Sequence, residues 1–141
     1  MLDMARWLKL KKGIDGFVMD PWNELDHTRP IYETETDYVG RQLTKVRRFA
    51  RKENIHIWIV AHPAKMYPKE DGTYRVPNVY DVSGSAHWAN KSDFAITVWR
   101  DLSQEYSLTQ VHVQKCRFRW FGQIGLAQLK WEPVAGRYLD V

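Results

Sequence analysis

The sequence predicts an α/β fold: a mainly parallel sheet flanked by helices and ending in a β-hairpin. Three observations carry this. Two short apolar runs, Gly16–Met19 and Ile55–Val60, are separated by a stretch of helical period, the alternation that builds parallel sheets. A third apolar run, Phe94–Trp99, follows a long polar segment. Late in the chain, 110–118 and 126–131 form two strand-like runs joined by a short glycine-containing turn, which reads as a hairpin.

Each element has its own signal. Leu2, Ala5, Trp7, Leu8 and Leu10 precede Lys11-Lys12-Gly13, a short helix closed by a glycine C-cap. Gly16-Phe-Val-Met19 lacks polar alternation and ends at Asp20-Pro21, as a strand buried on both faces would. Residues 22–35 form an acid-rich loop. From Thr36 to about Asn54, Val39, Leu43, Val46 and Phe49 or Ala50 recur at helical spacing, with Arg41, Lys45, Arg47, Arg48, Arg51 and Lys52 on the other faces. That basic face reads first as a solvated surface. The β-branched run 55–60 is the second strand and ends at Ala61-His62-Pro63. A polar loop of about 62–84 follows, a length that compact domains keep mostly for function, and residues 83–92 suit a short helix.

Composition limits the function. The 141 residues make one domain's worth of chain, and 44% hydrophobic content argues against disorder. A net charge of +4 permits nucleic acid without requiring it. Cys116 is the single cysteine, so no internal disulfide or C-x-x-C zinc pattern exists, and a reducing intracellular home is the simplest expectation. No apolar run approaches membrane-spanning length, and Met1–Lys12 lacks the apolar core of a signal peptide. The five histidines (27, 56, 62, 87, 112) have no metal-ligand spacing. There is no G-x-S-x-G elbow, and Cys116 in mid-strand is poorly placed as a nucleophile.

In parallel sheets, ligands bind beyond the carboxyl ends of the strands. That rule selects Asp20 and His62, which both end apolar strands. A carboxylate held by a rigid strand suits Mg²⁺ near a nucleotide, although Asp before Pro is also ordinary turn chemistry. His62 suits a γ-phosphate sensor, or a loop hydrogen bond. Lys115 and Arg117 share a strand face by parity, as does Arg119. Such a pair needs solvent or an anion. Lys65, Lys69 and Arg75 lie beside Tyr67 and Tyr74, a mixture that suits a single-stranded nucleic-acid backbone as well as a solvated loop.

The order of these segments is more specific than any one of them. Gly16-Phe-Val-Met-Asp20-Pro, Ile57-Trp-Ile-Val-Ala-His62, Ser83-Gly-Ser-Ala, Ser92-Asp-Phe-Ala-Ile and Val113-Gln-Lys115-Cys-Arg117-Phe with Gly122 and Gly125 resemble the DnaB-like replicative helicases. The likeness covers roughly residues 1–138 and is nearest to phage primase-helicases and Twinkle-like helicases. It implies a partial RecA-like motor, with Asp20 as the Walker B carboxylate for Mg²⁺ and His62 as the phosphate sensor. It implies that Lys65, Lys69 and Arg75 contact single-stranded DNA. It makes Arg117 an arginine finger with Lys115 as companion, reaching the ATP site of a neighbour in a homo-oligomeric, hexameric ring.

One departure is large: no G-x-x-x-x-G-K-[ST] occurs in these residues. Without that phosphate cradle, Asp20 and His62 have little to act on. The expectation is therefore a single domain, 1–141, from the C-terminal part of the motor, whose longer parent uses ATP and Mg²⁺. It would be an excised piece, a truncated phage or prophage gene, or part of a split protein, working in the cytoplasm of a bacterial or phage-infected cell. Apolar surface left uncovered would favour self-association. Two other classes fit the same residues: a stand-alone module binding single-stranded DNA or a helicase, and part of a recombinase-like ATPase.

Overall fold

The computed structural model describes residues 1–25, 28–82, 86–103 and 107–141. His27 and the Ser83-Gly-Ser85 portion of the family pattern lie outside them. The chain divides into two compact units: Met1–His62 with Val82–Lys91, and Pro63–Asp81 with Ser92–Val141.

In the first unit, α1 (Leu2–Lys12) ends at Gly13, whose φ of 67° needs no Cβ relief and whose N–H bonds the Lys9 carbonyl. α2 (Glu35–Glu53) begins at Thr34. The Thr34 hydroxyl accepts the Asp37 N–H at 3.1 Å and donates to the Asp37 carboxylate at 2.7 Å, filling an orphan donor of the first turn. Asn54, left-handed at φ 49°, closes the helix. The apolar stripe on α2 buries Tyr38, Val39, Leu43 and Phe49. Phe49 joins Ala5 and Ile55 in a core against which Leu2, Phe17 and Ile57 pack. Arg6 ties the two helices by an ion pair to Glu53 at 2.9 Å and by lying over the Phe49 ring.

β1 (Gly16–Met19) and β2 (His56–Ile59) pair in parallel from Gly16↔His56 to Met19↔Ile59. The expected burial of the first strand on both faces does not hold. Phe17, Met19 and Ile57 point to the covered side, whereas Val18 and Trp58 are 58% and 48% exposed. Side chains alternate across a strand, and among the described residues only one face of this two-stranded sheet has helices on it. The short helix expected in 83–92 is α3 (His87–Lys91). It packs on α2 through His87 and Lys91 at Gly40, and its Trp88 meets the buried Trp22 edge-on at 5.2 Å within the same unit. Gly40 explains the close approach. A Cβ there would fall 2.6 Å from the His87 ring, so a helix-interior glycine, normally a cost of about 1 kcal/mol, makes room for α3.

The second unit holds an antiparallel sheet of order β3 (Phe94–Arg100), β4 (Thr109–Cys116), β5 (Gly125–Glu132), β6 (Arg137–Asp140). The fold is thus mixed α/β, not mainly parallel. Only eight positions, 101–108, join β3 to β4. A parallel crossover needs a dozen or more residues, usually including a helix, so these strands can only turn back. The β4–β5 hairpin is as expected. β6 is an additional strand. Its turn is fixed by Gly136 at φ 63° and by the Glu132 carboxylate, which accepts the Val134 and Ala135 N–H groups at 3.1 and 2.9 Å.

Candidate functional site

The parallel register of β1 and β2 sets Asp20 and His62 beyond the same end of the two strands. Backbone bonds extend the pairing past the strands themselves: Val60 N–H to the Met19 carbonyl at 2.9 Å, then Trp22 N–H to the Val60 carbonyl at 2.7 Å. The peptide bond after Asp20 is cis. Met19 is buried, while Asp20 and His62 are exposed, so a rigid base carries two accessible polar tips. Among the described residues no three His, Cys, Asp or Glu side chains gather into a metal cage. A lone accessible carboxylate nevertheless fits Mg²⁺, which takes one or two protein carboxylates and completes its shell with water and phosphate.

The loop carrying Lys65, Lys69 and Arg75 belongs to the second unit. It is tied down at several points. Ala64 N–H bonds the Asp81 carbonyl at 2.7 Å, and Lys69 N–H bonds the Thr73 carbonyl at 2.8 Å. Asp71 accepts both the N–H and hydroxyl of Thr73, which holds its carboxyl below the usual range. Lys65 lies 5.7 Å from the centre of the Tyr67 ring, and Tyr67 and Tyr74 are largely exposed. Arg75 differs from the two lysines. Its guanidinium forks onto the Asp81 carboxylate, an interaction that lowers the Asp81 pKa. Arg75 therefore anchors the loop as it stands.

Sequence reasoning missed the main anchor, Gln114. The β3–β4 register shifts between Ala95↔Lys115 and Ile96↔Val113, leaving Gln114 as a bulge. Its amide oxygen accepts the Val79 N–H at 3.0 Å and its amide nitrogen donates to the Pro77 carbonyl at 2.7 Å. Both bonds span more than thirty positions and have no local signal. Gln114→Leu is expected to cost about 1–3 kcal/mol by stranding both backbone groups. Urea unfolding checks the cost, and faster protease cleavage within 63–81 checks its location.

Lys115 and Arg117 both turn to the segment just before β3. The Lys115 amine donates to the Ser92 carbonyl at 2.7 Å. Arg117 lies one residue past β4, its N–H on the Asp93 carbonyl and its guanidinium 2.9 Å from the Asp93 carboxylate. The anion that a same-face cation pair requires is therefore supplied within the chain. The Arg117 and Asp93 side chains remain 31% and 32% exposed, so solvent screens the pair and its net contribution is about 1 kcal/mol or less. Arg119 falls in the 118–121 turn, which is closed by the Phe121 N–H on the Phe118 carbonyl. The strand thus ends at Cys116, before both arginines, and it is the Asp93 contact that sets Arg117 apart from Arg119, a distinction that parity alone does not make.

The chain resembles known proteins in sequence and in fold. No family model matches the chain. A solved structure described as a DnaB-like replicative helicase and its interactions with primase shares the fold, with a TM-score of 0.76 over 99% of this chain and 34% of that one, at 15% identity. The Twinkle homolog protein, chloroplastic/mitochondrial, of Arabidopsis thaliana is 43% identical over 143 aligned positions. The match covers 99% of this chain and 20% of that protein, so the chain spans about a fifth of the relative's length. The chain is thus similar in sequence to a segment of a Twinkle-type protein and shares its fold with part of a DnaB-like replicative helicase. Among the described residues no helix is long and apolar enough to cross a membrane.

Proposed function

We propose that these residues are the C-terminal part of a RecA-like helicase motor domain, serving a longer protein that couples ATP hydrolysis to movement along single-stranded DNA. The observation that carries this is the shared strand end of Asp20 and His62, in a chain of Twinkle-like sequence. Asp20 orients Mg²⁺ and its water, and the ion when bound neutralises charge developing on the transferred phosphoryl group. His62 senses the γ-phosphate. Directly after it in sequence begins the loop proposed to follow DNA, so loss of phosphate is relayed to the DNA contact. Lys65 and Lys69 beside exposed tyrosines meet the backbone, and Arg75 joins them only by leaving Asp81.

Lys115 and Arg117 act on a neighbour's nucleotide, which makes hydrolysis depend on assembly of a homo-hexameric ring. The weak, half-screened hold of Asp93 on Arg117 suits a residue that changes partner. The compartment is one that holds replicating DNA, such as the cytoplasm of a bacterial or phage-infected cell.

The 141 residues contain no phosphate-binding loop, so the chain alone is not a catalyst. Incubated with ATP and Mg²⁺, with and without single-stranded DNA, it is expected to release phosphate at the background rate. Sustained turnover by the purified chain would overturn this division of labour.

A further inference from the structure

The basic face of α2 has more organisation than a solvated surface requires. Arg41, Lys45, Arg48 and Lys52 recur at i, i+4, i+7 and i+11 and so form one stripe along the helix. At the N-terminal end of this stripe a cup of about 350 Å³ lies between α2 and α3, within the first unit. Arg41, Lys45, Arg48 and Lys91 bring four permanent cations to its wall, against one carboxylate, Asp37.

The cup is partly preorganised. The Lys91 amine donates to the Gly40 carbonyl at 2.6 Å and to the Thr44 hydroxyl. Arg41 is held by a fork onto Glu33 at 2.8 and 2.6 Å. Asp37 is engaged by Thr34. Lys45 and Arg48 are exposed and, among the described residues, have no ion-pair partner. Two fixed cations and two adaptable ones thus face one opening.

The wall excludes some ligands. Beside the charged groups it presents Gly40, Thr44 and His87, whose imidazole, its one aromatic ring, lies against Gly40; among the described residues its wall has no large aliphatic side chain and no Phe, Tyr or Trp. Protein partners take their affinity from such anchors, and single-stranded bases take it from stacking surfaces. What the cup offers is charge and hydrogen-bond donors, and the stripe extends that offer along the helix. We propose that the α2–α3 cup binds a phosphodiester of a nucleic-acid backbone, with Arg48 and Lys52 continuing the track to the next phosphates. This contact is separate from the single-strand loop. It needs no unstacked base and accepts duplex DNA.

Fluorescence anisotropy of the full chain with a labelled blunt-ended duplex, between about 50 and 200 mM salt, tests this. The chain is expected to bind with a salt slope set by its phosphate contacts. The exposed pair Lys45→Ala/Arg48→Ala should weaken duplex binding by about tenfold to a hundredfold and flatten the slope by about two units, near 0.9 per lost contact. Lys65→Ala/Lys69→Ala should leave the duplex slope unchanged while reducing binding of a single strand, so the loop and the cup fail independently. Absence of duplex binding would overturn the proposal, as would an unchanged slope in a Lys45→Ala/Arg48→Ala variant with native circular dichroism. A labelled oligoglutamate binding more tightly than the duplex, and lost in that same variant, would reassign the cup to an acidic protein and also overturn it.

Discussion

Arg117→Ala is expected to lower ATP turnover by about 10³–10⁵-fold in a Twinkle-type ring whose own corresponding segment has been replaced by this one, the range over which arginine fingers act. A structural role alone would not give that number. The Asp93–Arg117 pair is about one-third exposed on each side, so its loss costs about 1 kcal/mol or less in stability, far below the roughly 4–7 kcal/mol that such a rate change represents. Arg117→Lys keeps the charge but not the planar fork and should recover little of the rate. Asp93→Ala separates the two roles. It should lower stability slightly, leave the guanidinium available to a neighbour, and preserve turnover. Steady-state phosphate release from size-selected hexamers of each chimera supplies the comparison.

The second large effect concerns folding. Phe49→Ala is expected to destabilise the first unit by about 3–5 kcal/mol, the usual cost of deleting a buried aromatic ring. Phe49 is 6% exposed, joins the buried Ala5 and Ile55 in one cluster, and lies under the Arg6 guanidinium. The ring is the point at which α1, α2 and the sheet meet. One residue earlier, Arg48→Ala points into solvent and should change stability by about 0.5 kcal/mol or less. Urea unfolding followed by tryptophan fluorescence distinguishes the two, since Trp22 and Trp88 are buried in the same unit.

The elements of the first unit were legible because their signals are local. Gly13 after Lys11-Lys12, the 3.6-residue stripe of α2 and the β-branched run of β2 all appear within a few positions of where they act. The shared strand end of Asp20 and His62 also followed, since parallel strands joined by a helix leave only one arrangement of their carboxyl ends. In the second unit the apolar runs marked the strands but not their sense. The short 101–108 connection held that information and outweighs the general preference of βα alternation for parallel pairing. β6 is only four exposed residues, with no core face to impose a pattern, although Gly136 between Trp131 and Tyr138 marked the turn.

Side-chain partners were the least legible. Asp93 for Arg117, Ser92 for Lys115 and the Gln114 bridge to Pro77 and Val79 all join residues more than twenty positions apart. Gly40 was equally opaque, because in a helix it reads as a penalty until His87 is placed against it. The basic face of α2 read as solvated surface, because the second wall of its cup comes from a helix about fifty residues away.

In the function proposed above, this segment brings the metal-side and sensor half of a helicase nucleotide site. ATP turnover by the Twinkle-type chimera, with Asp20 intact or as Asp20→Asn, tests it most directly. DNA-stimulated turnover is expected with Asp20, and a loss of at least about 10²-fold with Asp20→Asn, the scale at which removing one group that positions or stabilises developing charge is felt. A hexameric, folded chimera that hydrolyses ATP equally well with either residue would contradict it.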